Sequence, residues 1–510
     1  MNQDSLRREN SKLLTLIVLI SIIVMFFLSG NVYASRARAE QRFKAYLKAD
    51  EGVGTVPLDI QDRTEAESIS ENKPLPEPPL PHFVRNKHVL PKELLEDKKE
   101  GRYIIPIPQI GVDPDVGYVI GMGVSLFDNG SKDSPFFRIL PYRQMITVVG
   151  MVSSGGMYAL NAAYDQPNIF DSPFRVRGTF QIWQNPSSKY FGIGNSGQNL
   201  TFPGSNINYG SYDDYKNALK VENNGMSYSR YDEYKNSQVS LGGSAEYDLF
   251  GGLVRPLFGF RVSRTWIDDY TGDNVSAKDA SGQSITATEE PTHLRDDCIG
   301  GRATGCDGGY DVYLKLGLTL DTRNFEPDPS SGILFQVTSE FAPKFLGSSD
   351  NYGRLATSFS AYGKALEMNN QQIIIAGRVF YSWQFGDVPF YAMNTMAFND
   401  TDQMGLGGFY SIRGYKQDRF VGPVTMLTNA EVRWYFTKFR ILNQRMKLGV
   451  APFFDAGRAF NDVSDTTFRD WHLSGGMGLR LTWNLSTVIC FDYAVSSEGQ
   501  LFYMNAGLPF

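Results

Sequence analysis

The sequence predicts an all-β fold, a 16-stranded antiparallel transmembrane β-barrel, and three observations carry that expectation. Apolar and polar residues alternate with period two from Tyr103 to Phe510. The alternating runs approach the roughly 9–11 residues that a tilted strand needs to cross a bilayer, against about 5–6 for an ordinary strand. The non-apolar face carries Arg, Glu and Gly where a soluble core would need Leu or Val, which suits a hydrated lumen.

Composition agrees. The 510 residues include Phe 35, Tyr 27, Trp 6 and Gly 50, with a net charge of −6. That charge is too small to argue for a charged partner, and no basic tract points to nucleic acid. The single long apolar run is Leu13–Leu28, preceded by Arg7, Arg8 and Lys12 and followed by Val32-Tyr33-Ala34. A basic start, an apolar middle and small residues read as an export signal over 1–34. An uncleaved membrane anchor is the alternative, and in both cases the remainder leaves the cytoplasm. Residues 35–101 are polar and proline-rich (KPLPEPPLP) and read as an extended periplasmic linker. One short helix is expected in Leu90–Lys99, with Pro91 near its start.

From 102 the strand segments read as 102–110, 116–127, 139–152, 155–164, 172–186, 236–250, 254–268, 310–321, 332–342, 352–366, 371–386, 422–437, 446–457, 470–484, 486–495 and 501–510. An even number suits a bacterial single-chain barrel, and lipid tolerates no unpaired strand edge, so the sheet must close. In 472–484, Leu473, Met477, Leu479, Leu481 and Trp483 share one face, and Ser474, Arg480 and Thr482 share the other. In 501–510, Phe502, Met504, Ala506, Leu508 and Phe510 fall on one face. Long connections (187–235, 269–309, 387–421) alternate with short ones (251–253, 322–331), as surface loops and periplasmic turns do. Tyr103, Tyr158, Phe170, Tyr190, Tyr381, Trp434 and Tyr435 lie near strand ends and suit interfacial girdles.

Enzyme signatures are weak. His82, His88, His293 and His472 are scattered, and no metalloprotease, nucleophile-elbow or phosphate-loop motif appears. No catalytic residue, metal ligand or cofactor is assigned. Asp113–Gly117 lacks the further ligands of a calcium loop and reads as a turn. Cys298 and Cys306 lie in a polar Gly/Asp stretch and form a candidate loop disulfide, with metal binding by CDGGYD the weaker reading. Cys490 is left over and reads as a packed small residue.

The most unusual stretch is Gly405–Tyr415, GLGGFYSIRGY. Its glycines permit tight turns, and they bracket one fixed positive charge, Arg413. Downstream, Glu431 lies on the polar face of its strand. Asp455 shares a face with Gly449, Ala451, Phe453 and Gly457, which leaves room for something to enter. A guanidinium can meet carboxylates in a planar, bidentate way that lysine cannot. From spacing alone, three separately solvated charges remain the other reading.

Several motifs in order resemble the BamA/TamA superfamily of outer-membrane assembly barrels. GLGGFYSIRGY is similar to that family's sixth-loop motif, AEVRWYF (Ala430–Phe436) to its next strand, and FFDAGRAF (Phe453–Phe460) to its aromatic–Asp–Gly strand. SGGMGLRLTWN, ICFDYAV and a terminal phenylalanine resemble its last three strands. LTLDTRNFEPDPSSG (Leu318–Gly332) and YFGIGN (Tyr190–Asn195) are similar to further family segments.

The resemblance implies that the sixth surface loop folds into the lumen, where Arg413, with Gly414 and Tyr415 beside it, is anchored to Glu431 and Asp455. It implies a lateral gate between first and last strands. It also implies a terminal insertion signal containing Phe502, Met504, Leu508 and Phe510. The expected role is insertion or translocation of proteins at the bacterial outer membrane, with outer-membrane lipids and unfolded outer-membrane or secreted proteins as partners. A passive pore or structural surface antigen is the alternative, and a lipid hydrolase a third. Family members carry periplasmic polypeptide-transport-associated domains, but 35–100 lacks alternating βα patterning, so none is expected there.

Overall fold

The computed structural model describes residues 79–510 except 114–115, 206, 369–370, 401, 442–443 and 484–486. The expected export signal and the first part of the expected linker lie outside these residues. Sixteen strands form one antiparallel sheet in chain order. They are β1 (Arg102–Asp113), β2 (Gly117–Asp128), β3 (Gln144–Ser153), β4 (Tyr158–Gln166), β5 (Phe174–Lys189), β6 (Glu233–Tyr247), β7 (Val254–Asp269) and β8 (Gly309–Asp321). They continue as β9 (Gly332–Ala342), β10 (Tyr352–Met368), β11 (Gln371–Gly386), β12 (Val424–Ile441), β13 (Gln444–Phe460), β14 (His472–Trp483), β15 (Thr487–Ser496) and β16 (Gly499–Ala506).

The alternation sorts the faces as expected. Leu473, Met477, Leu479 and Trp483 of β14 are exposed on the outer, lipid-facing side, while Ser474, Arg480 and Thr482 are buried. Likewise Val432 and Trp434 of β12 face out, and Asn429, Glu431 and Arg433 are buried inside. A one-residue slip would put those charges into lipid, so each register is strongly specified.

Two expected girdle residues lie elsewhere. Tyr190 is buried in the surface loops, where its hydroxyl donates to Asp297 Oδ2 at 2.6 Å. Tyr435 points inward, and its hydroxyl donates to Asp328 Oδ1 at 3.1 Å. Tyr190 follows the end of β5 and Tyr435 lies within β12, and each has a polar partner inside that an interfacial position would not supply.

The long surface connections pack into a dome. Helix α1 (Tyr212–Leu219) is N-capped by Ser211 and buries Tyr215 and Leu219 against Phe191, Leu200 and Tyr231. A small sheet joins Asn274–Lys278, Ser284–Glu289 and Met226–Ser227. Helix α2 (His293–Ile299), capped by Thr292, carries Cys298, which forms a disulfide with Cys306, the two Cα atoms 6.2 Å apart.

Glu289 sits inside this dome. Its Oε1 accepts the Arg230 N–H at 2.9 Å, and burial pushes its carboxyl up to about 8, with nearby Glu233 adding to the rise. The fold favours the protonated form. The dome is therefore expected to be firmest below the ordinary glutamate value of 4.5 and to weaken as the pH rises to about 8. Protease protection of the dome should fall over that window, and Glu289→Gln should flatten the fall.

At the opposite, short-turn end, residues expected to be linker form a strap. A 3-10 turn (His82–Val84) and helix α3 (Lys92–Asp97) lie across the periplasmic mouth. Val84 packs against Phe136, Ile139 and Leu140 of the β2–β3 connection. The Asn86 N–H donates to Gly251 O at 2.9 Å, and Lys87 pairs with Asp248 at 2.9 Å, both at the β6–β7 turn. Arg445 at the start of β13 pairs with Glu96 at 2.8 Å. This is why β3 begins at Gln144 and not at 139: Ile139 and Leu140 are used to hold the strap.

Candidate functional site: the lumenal loop and the seam

The connection between β11 and β12, residues 387–423, enters the barrel. Its course depends on two glycines. Gly407 has φ +107°, and a Cβ there would lie 1.9 Å from the Lys416 carbonyl. Gly414 has φ +93° and backs onto Val495 and Ser496 of β15. A side chain at either would force the loop apart.

Arg413 of this loop has no exposed surface. Its Nε and Nη2 donate to Asp455 Oδ2 and Oδ1 at 2.7 and 2.8 Å, a two-pronged pair. Nη1 donates to Glu431 Oε1 at 2.6 Å and to Asp492 Oδ2 at 2.9 Å. The guanidinium carbon lies 3.5 Å from the centre of the Phe453 ring. The arrangement thus brings together Arg413, Glu431 and Asp455, and adds Asp492.

The acids are shared. Arg433 Nε pairs with Glu431 Oε2 at 2.8 Å, Arg480 Nη2 with Glu431 Oε1 at 3.0 Å, and Arg480 also pairs with Asp492. Asn429 Nδ2 donates to Asp455 Oδ1 at 2.8 Å and to the Ser411 carbonyl at 2.7 Å. Three guanidinia alternate with three carboxylates, so the cluster is neutral and each buried charge has a partner. Asp492 left a readable signal: its face of β15 is Val488, Cys490, Asp492 and Ala494, small residues around one acid, like the face of Asp455. Arg419, a second buried loop arginine, pairs with Glu498 at 2.8 Å.

Gly414 and Tyr415 fasten the loop to the last strands. The Gly414 N–H donates to Tyr503 Oη at 3.0 Å, and that hydroxyl donates to the Tyr415 carbonyl at 3.1 Å. Ser496 Oγ donates to the Gly414 carbonyl at 2.7 Å. Tyr415 Oη meets Ser497 Oγ at 3.0 Å. Tyr503 lies on β16, so the loop holds one bank of the junction between first and last strands. Tyr503→Phe leaves the Gly414 N–H unsatisfied and should cost about 1–3 kcal/mol, read as an earlier unfolding transition on heating.

The loop also grips the other wall. Asp402 pairs with Lys315 and Arg261, each at 2.9 Å. Asn399 accepts from Thr338 Oγ1 and donates to Thr319 Oγ1, both at 2.8 Å. The His472 ring lies flat on Phe420 at 3.6 Å, serving as packing.

The terminal segment departs from expectation. Phe502 and Met504 face outward, 50% and 39% exposed. The strand stops at Ala506, and Gly507 (φ +100°) turns the chain inward. Leu508 packs beside Phe409, Phe453 and Tyr503. The Phe510 ring lies between the guanidinia of Arg378 and Arg433, at 5.2 and 5.3 Å, and Arg433 Nη2 donates to the Phe510 carbonyl at 3.0 Å. The expectation that Phe502, Met504, Leu508 and Phe510 share one face is therefore corrected. Two buried cations reward an aromatic ring and a carbonyl inside more than continued alternation rewards them in lipid.

Each strand pairs with the next in the chain, but among the described residues no ladder joins β1 to β16. The two strands are neighbours across an unzipped seam.

Residues 144–510 match the Omp85 superfamily domain, and 80–143 match a domain of unknown function, DUF5982. The second match covers the strap, β1, β2 and the loop that holds the strap. No curated protein matches the chain. Among solved structures, BamA from Haemophilus ducreyi lacking POTRA domains 1-3 is 13% identical, with a TM-score of 0.46 over 80% of this chain and 70% of that one. CdiB from Escherichia coli is 10% identical, with a TM-score of 0.47 over 82% of this chain and 69% of that one. CdiB from Acinetobacter baumannii is 10% identical, with a TM-score of 0.42 over 81% of this chain and 60% of that one. With a matching family domain spanning most of its length, this outer-membrane β-barrel belongs to the Omp85 superfamily.

Proposed function

We propose that this barrel takes part in inserting or translocating proteins at the bacterial outer membrane, and that it acts through the seam between β1 and β16. The observation that carries the reading is that, among the described residues, no ladder joins β1 to β16 in a sheet whose other neighbours are all joined by ladders. Unpaired backbone groups at membrane depth are costly and form a template for another strand. The loop braces β12 to β16 through Arg413, Glu431, Asp455, Asp492 and Tyr503, so β1 is the freer bank. No bond is made or broken in such a role. Its partners are membrane lipids at the outer face and unfolded protein clients at the seam.

A passive pore fits less well, because Arg354, Arg413, Arg419, Arg433 and Arg480 fill the lumen as fully buried side chains. The test is an insertion assay in proteoliposomes, with an unfolded barrel protein diluted from urea as client. Faster client folding than in empty liposomes is expected. Steady ion conductance with no acceleration would sink the insertion reading and favour the pore.

A further inference from the structure

The two banks of the seam are chemically unequal. In an antiparallel ladder the backbone groups of successive residues point to alternate sides. The Asp128 carbonyl accepts from the Arg143 N–H at 2.7 Å, so even-numbered residues of β2 face β3 and odd-numbered ones face β1. The β1–β2 register pairs Arg102 with Asp128 and Tyr103 with Phe127, so odd meets odd. The Asn129 N–H donating to the Gly101 carbonyl at 3.0 Å keeps the same phase. The even-numbered residues of β1 therefore turn their backbone groups toward the seam. Two successive ones, Pro106 and Pro108, have no N–H to offer.

On β16 the phase is set by the Gly507 N–H, which donates to the Val488 carbonyl at 2.7 Å. Odd-numbered residues bond β15, in register with Ile489↔Ala506. Gln500, Phe502, Met504 and Ala506 turn to the seam, each with a donor and an acceptor. Prolines on a strand edge are a known way of blunting it against further pairing.

We infer that the free edge of β16, from Gln500 to Ala506, is the surface that takes an incoming strand, and that Pro106 and Pro108 deny that role to β1. The occupant is an extended, amphipathic polypeptide segment. Its apolar side chains lie on the lipid side, continuing the band of Phe502 and Met504, and its small or polar ones lie inward beside Tyr503. On β1 the same segment would leave two of its carbonyls without donors at membrane depth. The inference rests on the seam-mediated function proposed above for the identity of the natural occupant, but not for the inequality of the two edges.

Disulfide trapping on the full-length chain tests it, in a Cys490→Ala background that removes the free thiol. Single cysteines at Gln500 or Met504 report β16, and at Arg102 or Ile104 report β1. The probe is a synthetic peptide of about ten alternating valines and threonines with one cysteine, which needs no insertion activity. Trapping at the β16 positions should exceed that at β1 at least about fivefold, the scale of one lost backbone hydrogen bond. The double variant Pro106→Val/Pro108→Val should raise β1 trapping to the β16 level. Equal or greater trapping at β1 in the chain with both prolines, or none at either edge, would overturn the inference. Trapping at β16 without acceleration of client folding would instead overturn the insertion reading and leave the edge assignment standing.

Discussion

Replacing Arg413 by alanine is expected to lower the heat-induced unfolding transition of the barrel markedly and to release the lumenal loop. The substitution removes two bonds to Asp455 and one each to Glu431 and Asp492. Three carboxylates would then share Arg433 and Arg480, and Asp455 would keep Asn429 as its side-chain donor. All these side chains are fully enclosed, so water cannot easily take the arginine's place. Breaking a buried pair from one side costs on the order of 3–5 kcal/mol. Arg413→Lys should recover part of the loss, because a single ammonium keeps the charge but cannot form the fork on Asp455 while reaching Glu431 and Asp492. Gel-shift melting curves compare the three proteins. An alanine variant melting with the parent would mean that the cluster does not brace the barrel. Client folding in proteoliposomes, run alongside, separates a stability defect from a functional one.

The second large effect is expected at the periplasmic mouth. Val84 has no exposed surface and sits among Phe136, Ile139 and Leu140. Val84→Asp would bury a carboxylate among these apolar side chains, a change costing several kcal/mol unless the strap leaves. Release is opposed by the Asn86 and Leu90 backbone bonds at 2.9 and 2.8 Å, the Lys87–Asp248 pair at 2.9 Å, the pairing of Arg445 with Glu96 and Asp97, and Lys98 Nζ donating to the Leu140 carbonyl at 2.6 Å. The strap should detach while the barrel stays folded. Trypsin should then cut at Lys87, Lys92 or Lys98 in the variant and spare them in the parent. Unchanged cleavage would show that Val84 is not what holds the strap in place.

Much of the site was legible in particular residues. Glu431 and Asp455 stood out because an acid on an inward face needs a partner, and Arg413 was the charge amid loop glycines. Asp492, Arg433 and Arg480 carried the same kind of signal, yet each acquires meaning only beside a neighbouring strand. Tyr190 and Tyr435 depart from the girdle expectation because a tyrosine's ring and hydroxyl suit an interface and an interior hydrogen bond equally well. Leu508 and Phe510 were misplaced because Leu-Pro-Phe continues the alternation, while the partners that draw them inward, Arg378 and Arg433, lie far away in sequence.

What the sequence by itself determined is the local and periodic part. Alternation decides which face of each strand meets lipid, strand length decides that it spans, and glycine placement decides where the loop can bend. These depend on neighbouring residues and on the solvent each face must meet. The tertiary structure alone decided which charges share a cluster, where β16 ends, and that residues after Leu80 cross the mouth as a strap. It also left β1 and β16 unzipped. Those outcomes depend on pairs separated by tens to hundreds of residues. Their energies come from burying charges and apolar groups together, which no stretch of chain can evaluate before its partner arrives.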